Sequence, residues 1–426
     1  MKDRRVLIIG LNYAPEPVGI GPYTQGLAEA LVARGAKVEV VAGKPYYPQW
    51  RIDPAYAGGG WRTSHEGGAG ITRCPHYVPA EPSGFKRIVH LASFALSALP
   101  HALRAALRDK AERPDLVIAI APALLSVFTA WLAARLAGAK LWIHVQDFEV
   151  EAALATGLME AHRPAARLAR WVEATLLGLC DHVSTISPQM CAKLTEKGVD
   201  PQRVFEMRNW SDARFAADPA GATTLRADWG LTGKVIALYS GNIARKQGIE
   251  ILVEAARLLQ DQPDIAFVIC GEGPNRAELE RLAHGLPNVQ LHDLQPAERM
   301  GAMLTMADLH LLPQIAGAAD LVLPSKLTNM LASARPVVAT TEPGTGLYAE
   351  VDGCGVITPP GDAAALAKAV AALANDPARR TAMGKAAANR ASERWMKDPI
   401  IDRALAVVQR SLGSPQSSVL SSSGSA

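Results

Sequence analysis

Lys326 opens the segment KLTNMLAS, which has helical apolar spacing and follows Pro324 and Ser325 as helix-start signals. A helix that begins here directs unpaired backbone N–H groups and the positive end of its dipole toward the space before it. Lys326 adds a full positive charge in the first turn, so the segment predicts an anion site. The alternative is an ordinary helix start with a solvated lysine, and this segment alone leaves both open.

A second candidate anion site is the sequence GIGPYT near the N-terminus. Gly19 and Gly21 precede a predicted helix, and glycines let a phosphate group approach the backbone closely. Thr24 occupies the last glycine position of a dinucleotide fingerprint, so the pattern is not a full G-x-G-x-x-G. We favour a phosphate-binding loop over a simple tight turn, and a nicotinamide cofactor is disfavoured.

Polar residues cluster at the end of the predicted strand KLWIHVQD. His144 and Gln146 lie two residues apart and therefore on the same face of the strand. Asp147 and Glu149 follow, and a carboxylate here could accept the proton of an attacking hydroxyl group. Among them we favour Asp147, and the alternative is an aspartate that caps the next helix. Glu272, in GEGP, is interpreted as a cap of the helix after it.

These residues lie in a chain that alternates strands and helices from Val6 onward and repeats the pattern after MRNWSD. Runs such as VLIIG, KVIALYSGN and RPVVAT have the composition of buried parallel strands. The pattern predicts two doubly wound α/β lobes of the Rossmann-like kind that face each other across a cleft. Ligands bind such sheets at the carboxyl ends of the strands.

We expect an N-terminal lobe over residues 1–205 and a C-terminal lobe over residues 206–395. A helix over residues 396–412 returns to the first lobe in this interpretation. The tail, residues 413–426, has too few large apolar residues to fold.

The composition excludes several classes of protein. The 426 residues are 49% hydrophobic and 20% charged with a net charge of +3, which indicates a soluble protein of two or three domains and no general affinity for nucleic acids. The five cysteines form no CxxC pair, so we expect reduced cytosolic thiols and no zinc site. The N-terminal apolar run is too short for a signal peptide or a membrane span.

The second lobe resembles the retaining glycosyltransferases of family 4, which have the GT-B fold. The matching phrases are LYSGNIARKQGIEILVEAARLL, FVICGEGPNRAELERLA, NVQLHDLQPAERM, LPSKLTNMLASARPVVAT and GVITPPGDAAALAKAV. The phrases NYAPE, QDFEVEA and PSKLTNMLAS resemble the colanic-acid-type exopolysaccharide glycosyltransferases in particular. The resemblance extends from about Arg5 to Arg410 and carries most of the functional interpretation.

The resemblance implies a UDP- or GDP-sugar donor, transfer with retention, and a glycan acceptor linked to polyprenyl diphosphate. It also implies that the first lobe binds the acceptor and the second lobe binds the nucleotide sugar. The absence of a D-x-D sequence argues against an obligatory metal cofactor. The implied catalytic residues are Lys326, Asp147, Gln146 and His144. The implied donor-binding residues are Gly19, Gly21, Gly241, Asn242, Arg245, Lys246, Gln247, Asn329 and Leu294.

Several positions depart from the family pattern. Asn242 and Gln247 stand where many relatives carry arginine and lysine, and Gln146 stands where many carry a histidine that contacts the transferred sugar. Asn329 replaces the second of two glutamates, the one that holds the ribose hydroxyls. Asp320 is the nearest acid to the first glutamate, at a spacing that does not match. A nucleotide-sugar epimerase or hydrolase of the same fold, or a degenerate donor-binding protein, therefore stays open.

Residues 84–110 form an apolar segment that is interrupted by Pro100. Its large apolar residues are Phe85, Leu91, Phe94, Leu96 and Leu99, and its cations are Lys86, Arg87, Arg104, Arg108 and Lys110. Basic flanks favour an interfacial helix over a spanning one, so we expect attachment to an anionic membrane at the cytoplasmic face of the plasma membrane. The alternative is a core helix of the first lobe.

Overall fold

The computed structural model describes residues 1–17, 19–81, 83–148, 150, 164–211, 217–243, 247–315, 323 and 326–413. The chain divides into two compact units. The first unit combines Met1–Arg208 with Asp398–Ala426, and the second is Asn209–Lys397. Of the predicted tail, only Gly413 lies within the described residues.

The first unit contains an eight-stranded sheet in the order β3-β4-β2-β1-β5-β6-β7-β8. The strands are β1 Arg5–Gly10, β2 Lys37–Gly43, β3 Arg62–Glu66, β4 Ala69–Cys74, β5 Leu116–Ala121, β6 Lys140–Val145, β7 His182–Thr185 and β8 Val204–Glu206. All neighbours pair in parallel except β3 and β4. That antiparallel pair turns at Gly67 and Gly68, which have φ values of 56° and 81° and so fit a tight hairpin.

Helices cover the sheet of the first unit. They are α1 Gly21–Ala33, α2 Gly84–Ala106, α3 Leu125–Ala137, α4 Pro164–Gly178 and α5 Pro188–Glu196, with short 3₁₀ turns at Pro54–Tyr56, Lys110–Glu112 and Pro201–Arg203. Because both faces of the central strands are covered, VLIIG in β1 is buried almost completely, as its composition predicts. Helix α1 ends at the cap residue Arg34, and Gly35 just beyond it has a φ of 82°, which suits a glycine after a helix.

The second unit contains a six-stranded parallel sheet in the order β11-β10-β9-β12-β13-β14. The strands are β9 Val235–Ser240, β10 Ile265–Cys270, β11 Val289–His292, β12 Leu309–Leu312, β13 Val337–Thr340 and β14 Gly355–Thr358. Counted along the unit, this is the 3-2-1-4-5-6 order of the Rossmann fold. The first three strands are added toward one edge of the sheet and the last three toward the other, so the order of strands reverses between the first and the fourth. The reversal lies between β9 and β12, so ligands are expected at their carboxyl ends.

The helices of the second unit are α6 Pro219–Asp228, α7 Glu250–Leu258, α8 Arg276–Ala283, α9 Ala297–Met306, α10 Lys326–Ala332, α11 Gly346–Val351, α12 Ala363–Ala374 and α13 Pro377–Arg394. The predicted helix KLTNMLAS is α10, and the predicted strand RPVVAT is β13. His310 on β12 contacts Ser333 just after α10, with 2.8 Å between Nε2 and Oγ. This contact ties the end of α10 to the sheet.

The final helix, α14 Lys397–Leu412, packs on the first unit. Arg34 of α1 forms ion pairs with Asp398 at 3.0 Å and Asp402 at 2.7 Å. At the other end of the helix, His182 Nε2 lies 2.6 Å from Ser411 Oγ. The apolar side chains of α14, among them Ile401 and Leu405, are buried.

Helix α2 divides its apolar residues between the core and the surface. Phe94 is fully buried, so its assignment to a membrane-facing surface is wrong, whereas Phe85 and Leu96 are 76% and 70% exposed. Pro100 lies inside the helix without ending it. Within the described residues α2 alone is long and apolar enough to cross a membrane, although a third of its most apolar window is buried, and core helices meet the same criterion.

Gly384 of α13 packs against the turn after α10. A Cβ atom at this position would lie 2.2 Å from the carbonyl oxygen of Ala334. We therefore expect Gly384→Ala to destabilise the protein by about 1–3 kcal/mol, because overlap outweighs the gain of about 1 kcal/mol in helix propensity. Urea unfolding measures the difference, and Lys385→Ala at the exposed neighbouring position is the control. A stabilised Gly384→Ala variant would contradict this packing.

Candidate active site

Lys326, the first residue of α10, reaches the end of strand β9. Its ammonium group donates a hydrogen bond of 2.8 Å to the hydroxyl oxygen of Tyr239 and lies 4.0 Å from the centre of the tyrosine ring. The second distance is that of a cation–π contact. Tyr239 itself is fully buried in the core of the second unit.

The Tyr239 hydroxyl also contacts the segment that follows β9. It lies 2.7 Å from the carbonyl oxygen of Asn242 and 3.1 Å from Oε1 of Gln247. Three predicted site residues, Lys326, Asn242 and Gln247, therefore converge on the hydroxyl of Tyr239. We call these residues and Tyr239 the Lys326 cluster. The sequence analysis missed Tyr239, because a tyrosine in a buried strand has the same signature as an ordinary core residue. Arg245 and Lys246 lie outside the described residues.

Gly241 allows the lysine to approach. A Cβ atom here would lie 3.3 Å from Lys326 Nζ, and the φ of 142° disfavours other residues. The loop after β10 also packs closely against Gly241. A Cβ atom on Gly271 would lie 1.9 Å from the Gly241 carbonyl oxygen. The N–H of Gly241 donates to the Cys270 carbonyl at 2.9 Å, and that of Ile243 to the Glu272 carbonyl at 2.8 Å. The two loops thus form one backbone surface beside the ammonium group.

Burial of the Lys326 ammonium group lowers its pKa from 10.5 to about 7. An anion beside it would favour the charged form and raise the pKa again. The predicted start signals Pro324 and Ser325 lie outside the described residues, as does Asp320. Within the described chain, the positive character of this site therefore comes from the lysine itself.

Helix α10 anchors itself through Leu327, Met330 and Leu331, which are fully buried. Asn329 is half-buried on the same helix, and its carbonyl oxygen accepts a hydrogen bond of 3.0 Å from the N–H of Ser333. Leu294 follows β11 and is exposed.

Arg276 of α8 joins the loops after β10 and β11. Its Nη1 donates to the carbonyl oxygens of Gly271 at 2.6 Å and His292 at 3.1 Å, and its Nη2 pairs with Asp293 at 2.9 Å. Glu272 accepts from the same guanidinium at 3.2 Å. The interpretation of Glu272 as a helix cap is wrong, because Asn275 occupies the cap position of α8.

In the first unit, His144 and Gln146 lie together at the end of β6. Gln146 Nε2 is 3.0 Å from His144 Nε2, and His144 Nδ1 is 2.9 Å from Ser184 Oγ, which also accepts from Trp142 Nε1 at 2.7 Å. Desolvation lowers the pKa of His144 to about 3, so the ring is neutral. Both ring nitrogens of His144 are engaged, so the ring holds the Gln146 side chain in place. The sequence analysis missed Trp142 and Ser184.

Asp147 is exposed directly after β6, and one of its oxygens accepts from the N–H of Phe148 at 2.8 Å. Together with Pro122, Val145 and Glu173 it lines a small pocket. Glu149 and most of the segment that Asp147 was alternatively expected to cap lie outside the described residues.

Gly19 lies in the loop after β1, as predicted, whereas Gly21 is the first residue of α1 and does not precede the helix. Gly19 is exposed with a φ of 73°. The loop is held by Glu16, whose Oε1 accepts from the N–H groups of Tyr46 and Tyr47, both at 3.1 Å. Desolvation raises the pKa of this carboxyl group, and its hydrogen bonds oppose that rise. The sequence analysis quoted Glu16 within NYAPE without giving it this role.

Two family models match the chain. A glycosyl transferase 4-like domain matches residues 18–210, and the model for glycosyl transferases group 1 matches residues 222–390. WcaI of Escherichia coli strain K12, described as a glycosyl transferase of colanic acid biosynthesis, is 44% identical over 80% of this chain and 84% of its own. An alpha-D-kanosaminyltransferase of Streptomyces kanamyceticus is 28% identical over 68% of this chain and 75% of its own.

Solved structures agree in fold. A sucrose-phosphate synthase of Thermosynechococcus elongatus has a TM-score of 0.73 at 20% identity, over 97% of this chain and 100% of its own. HepE of Anabaena, solved with UDP, has a TM-score of 0.68 at 14% identity, over 96% and 100%. The two Rossmann-like units thus define a protein of the GT-B class. The chain belongs to the glycosyltransferase family 4 enzymes, as the 44% identity over most of a relative's length establishes.

A buried ammonium group carries a cost in stability that can be measured. Because the pKa of Lys326 is lowered, the unfolded chain binds a proton between pH 7 and pH 10.5 that the folded chain does not. The free energy of unfolding therefore falls as the pH decreases from 10.5 toward 7. We expect Lys326→Met to raise the Tm of the unliganded protein at pH 7 by roughly a few degrees.

Differential scanning calorimetry at pH 7 tests this expectation, with Lys385→Met as a control at an exposed lysine. The control should leave Tm unchanged. A lower Tm for Lys326→Met would show that the contacts of the lysine outweigh its desolvation.

Proposed function

We propose that this enzyme transfers a sugar, with retention of anomeric configuration, from a UDP- or GDP-sugar to a glycan linked to polyprenyl diphosphate. The product is an exopolysaccharide or related cell-surface polysaccharide. The observation that carries the proposal is the Lys326 cluster at the reversal point of the second sheet, in a chain 44% identical to a glycosyl transferase described for colanic acid biosynthesis. The Anabaena relative of the same fold is solved with UDP and with UDP-glucose, which supports a nucleotide-sugar donor.

The proposed reaction requires the site to neutralise the negative charge of the leaving diphosphate. The bond between the sugar C1 and the diphosphate oxygen breaks, and a new bond forms from C1 to the acceptor oxygen. The diphosphate leaves with the electron pair, and the hydroxyl proton passes to a diphosphate oxygen or to Asp147. Lys326 and the backbone surface at Gly241 stabilise the developing negative charge, and such preorganised groups need no rearrangement during reaction.

The other predicted residues receive supporting roles in this proposal. Gln146 contacts the transferred sugar, and His144 positions it through their hydrogen bond of 3.0 Å. Asn329 holds the ribose hydroxyls, which an amide can do through both donors and acceptors. Gly19 and Gly21 provide backbone N–H groups to the donor from the first unit. We assign further donor contacts to Leu294, Arg245 and Lys246.

No obligatory metal is part of the proposal, because the lysine supplies positive charge and the sequence contains no D-x-D. Addition of EDTA should therefore leave transfer unchanged. The two rival functions make different demands on the substrate. A hydrolase or epimerase releases free UDP from the donor without an acceptor, and a degenerate binding protein holds the donor without turnover.

Transfer from radiolabelled UDP- and GDP-sugars to a polyprenyl-diphosphate-linked glycan tests the proposal. We expect Lys326→Ala to reduce the rate at least tenfold, because a charge-assisted contact contributes about 1.5–3 kcal/mol. Lys385→Ala is the matched control and should retain the parent rate. Unchanged transfer by Lys326→Ala would remove the lysine from the mechanism, and acceptor-independent release of UDP would favour the hydrolase.

We locate the enzyme at the cytoplasmic face of the plasma membrane, attached through α2. Phe85, Ile88, Val89 and Leu96 are exposed along this helix, and Lys86 lies beside them. Arg104 and Lys110 are also exposed, whereas Arg108 pairs with Glu39 at 3.0 Å and contributes less free charge. Exposed apolar residues beside cations suit the interface of an anionic bilayer. Such attachment would bring a lipid-linked acceptor to the enzyme.

Co-sedimentation with phosphatidylglycerol vesicles tests the attachment. Each cation near an anionic surface contributes about 1 kcal/mol, so we expect binding that weakens in high salt. The double variant Phe85→Ser with Lys86→Glu should bind less, and Lys385→Glu, which makes the same charge change elsewhere, should bind like the parent. Failure of the parent to bind these vesicles at low salt would contradict the membrane role without affecting the proposed transfer.

A further inference from the structure

Tyr239 is the centre of the Lys326 cluster, yet no ligand-binding role follows from its position in the core. Its ring is fully buried, and its hydroxyl meets the polar loop after β9. A buried phenol needs a partner for its hydroxyl, and this one has three candidates: the ammonium group of Lys326, the carbonyl of Asn242 and the amide of Gln247.

The three contacts cannot be independent. A phenol hydroxyl carries one proton and accepts through its oxygen. The ammonium group can only donate, so the oxygen accepts from Lys326 and its single proton goes to Asn242 or to Gln247, at 2.7 and 3.1 Å respectively. The hydroxyl therefore links the direction of the lysine to the conformation of the segment after β9.

We propose that Tyr239 is a positioning residue that holds the Lys326 ammonium group in place for the donor diphosphate. The inference rests on the function proposed above and adds a residue to it. Without the hydroxyl, the ammonium group keeps the ring face but loses the acceptor that directs it. The lysine side chain has several rotatable bonds, so a fixed acceptor reduces the freedom that must be lost when the diphosphate binds.

The position of Gly241 supports this reading. The lysine lies so close to the Gly241 backbone that a Cβ atom there would be 3.3 Å from Nζ and 3.5 Å from Cδ. The ring of Tyr239 and the backbone at Gly241 thus confine the lysine from two directions. The confined ammonium group lies beside the backbone surface to which we assign the diphosphate.

A double-mutant cycle in binding separates this role from a structural one. Tyr239→Phe removes only the hydroxyl, and calorimetry with UDP and GDP measures its effect in the parent and in Lys326→Met. We expect about a tenfold weaker affinity for the diphosphate in the parent background and less than about a twofold change in Lys326→Met, since the hydroxyl acts through the lysine. Affinity for uridine, which lacks the diphosphate, should be unchanged. Tyr348→Phe, at a half-buried tyrosine elsewhere in the unit, is the control.

A second measurement needs no nucleotide. Acylation of Lys326 by acetic anhydride, followed by mass spectrometry, reports how available its neutral amine is. The reaction is run at pH 6, where a lysine with a pKa of about 7 is mostly protonated. Tyr239→Phe should accelerate this labelling at least about threefold, because the ammonium group loses its acceptor, while labelling of Lys385 stays constant.

The binding and labelling results each support or contradict the positioning role of Tyr239. Equal losses of UDP affinity in both backgrounds, equal losses for uridine and UDP, or unchanged labelling of Lys326 would overturn the positioning role. If the parent binds neither UDP nor GDP, the proposed donor site fails, and the labelling result still decides whether Tyr239 holds the lysine.

Discussion

Parallel pairing is the constraint on which this protein depends. Parallel strands need helices on both faces, so their own residues must be apolar almost throughout, as β1, β5 and β10 are. Polar side chains are thereby confined to the strand ends and the loops after them. The Gln146 cluster and the Lys326 cluster both occupy such ends, one in each unit. The chemistry of the enzyme follows from where the sheets allow polar groups to lie.

The Lys326 cluster shows how the fold makes a cation available to a ligand. The Tyr239 ring, the Gly241 backbone and helix α10 remove water from the ammonium group, and this burial lowers its pKa to about 7. The same desolvation strengthens attraction to any anion that arrives. With the ligand-binding role that we propose for Lys326, its desolvation in the unliganded protein is an example of the usual compromise between stability and function.

The sequence predicted most of the central strands and the helices between them, because these elements have strong apolar periodicity. It missed the β3–β4 hairpin, although the paired glycines 67 and 68 are a hairpin signal. Strand β3 is polar and largely exposed at the sheet edge, and β4, although mostly buried, is short and lacks a continuous apolar run. It also missed α13, an alanine-rich helix with little large apolar surface. The burial of Phe94 depended on which face of α2 meets α3, and composition does not reveal that.

For the site, the sequence by itself determined the residue types and their places at strand ends: a lysine at the start of α10, glycines after β1 and β9, and a histidine and glutamine at the end of β6. These features are local, since they depend on spacing within one segment. The partners were decided only by the tertiary structure. Tyr239 meets Lys326 across 87 positions of the chain, and Ser184 meets His144 across 40. Such contacts depend on strand order and helix packing, which bring together segments whose sequences carry no mark of each other.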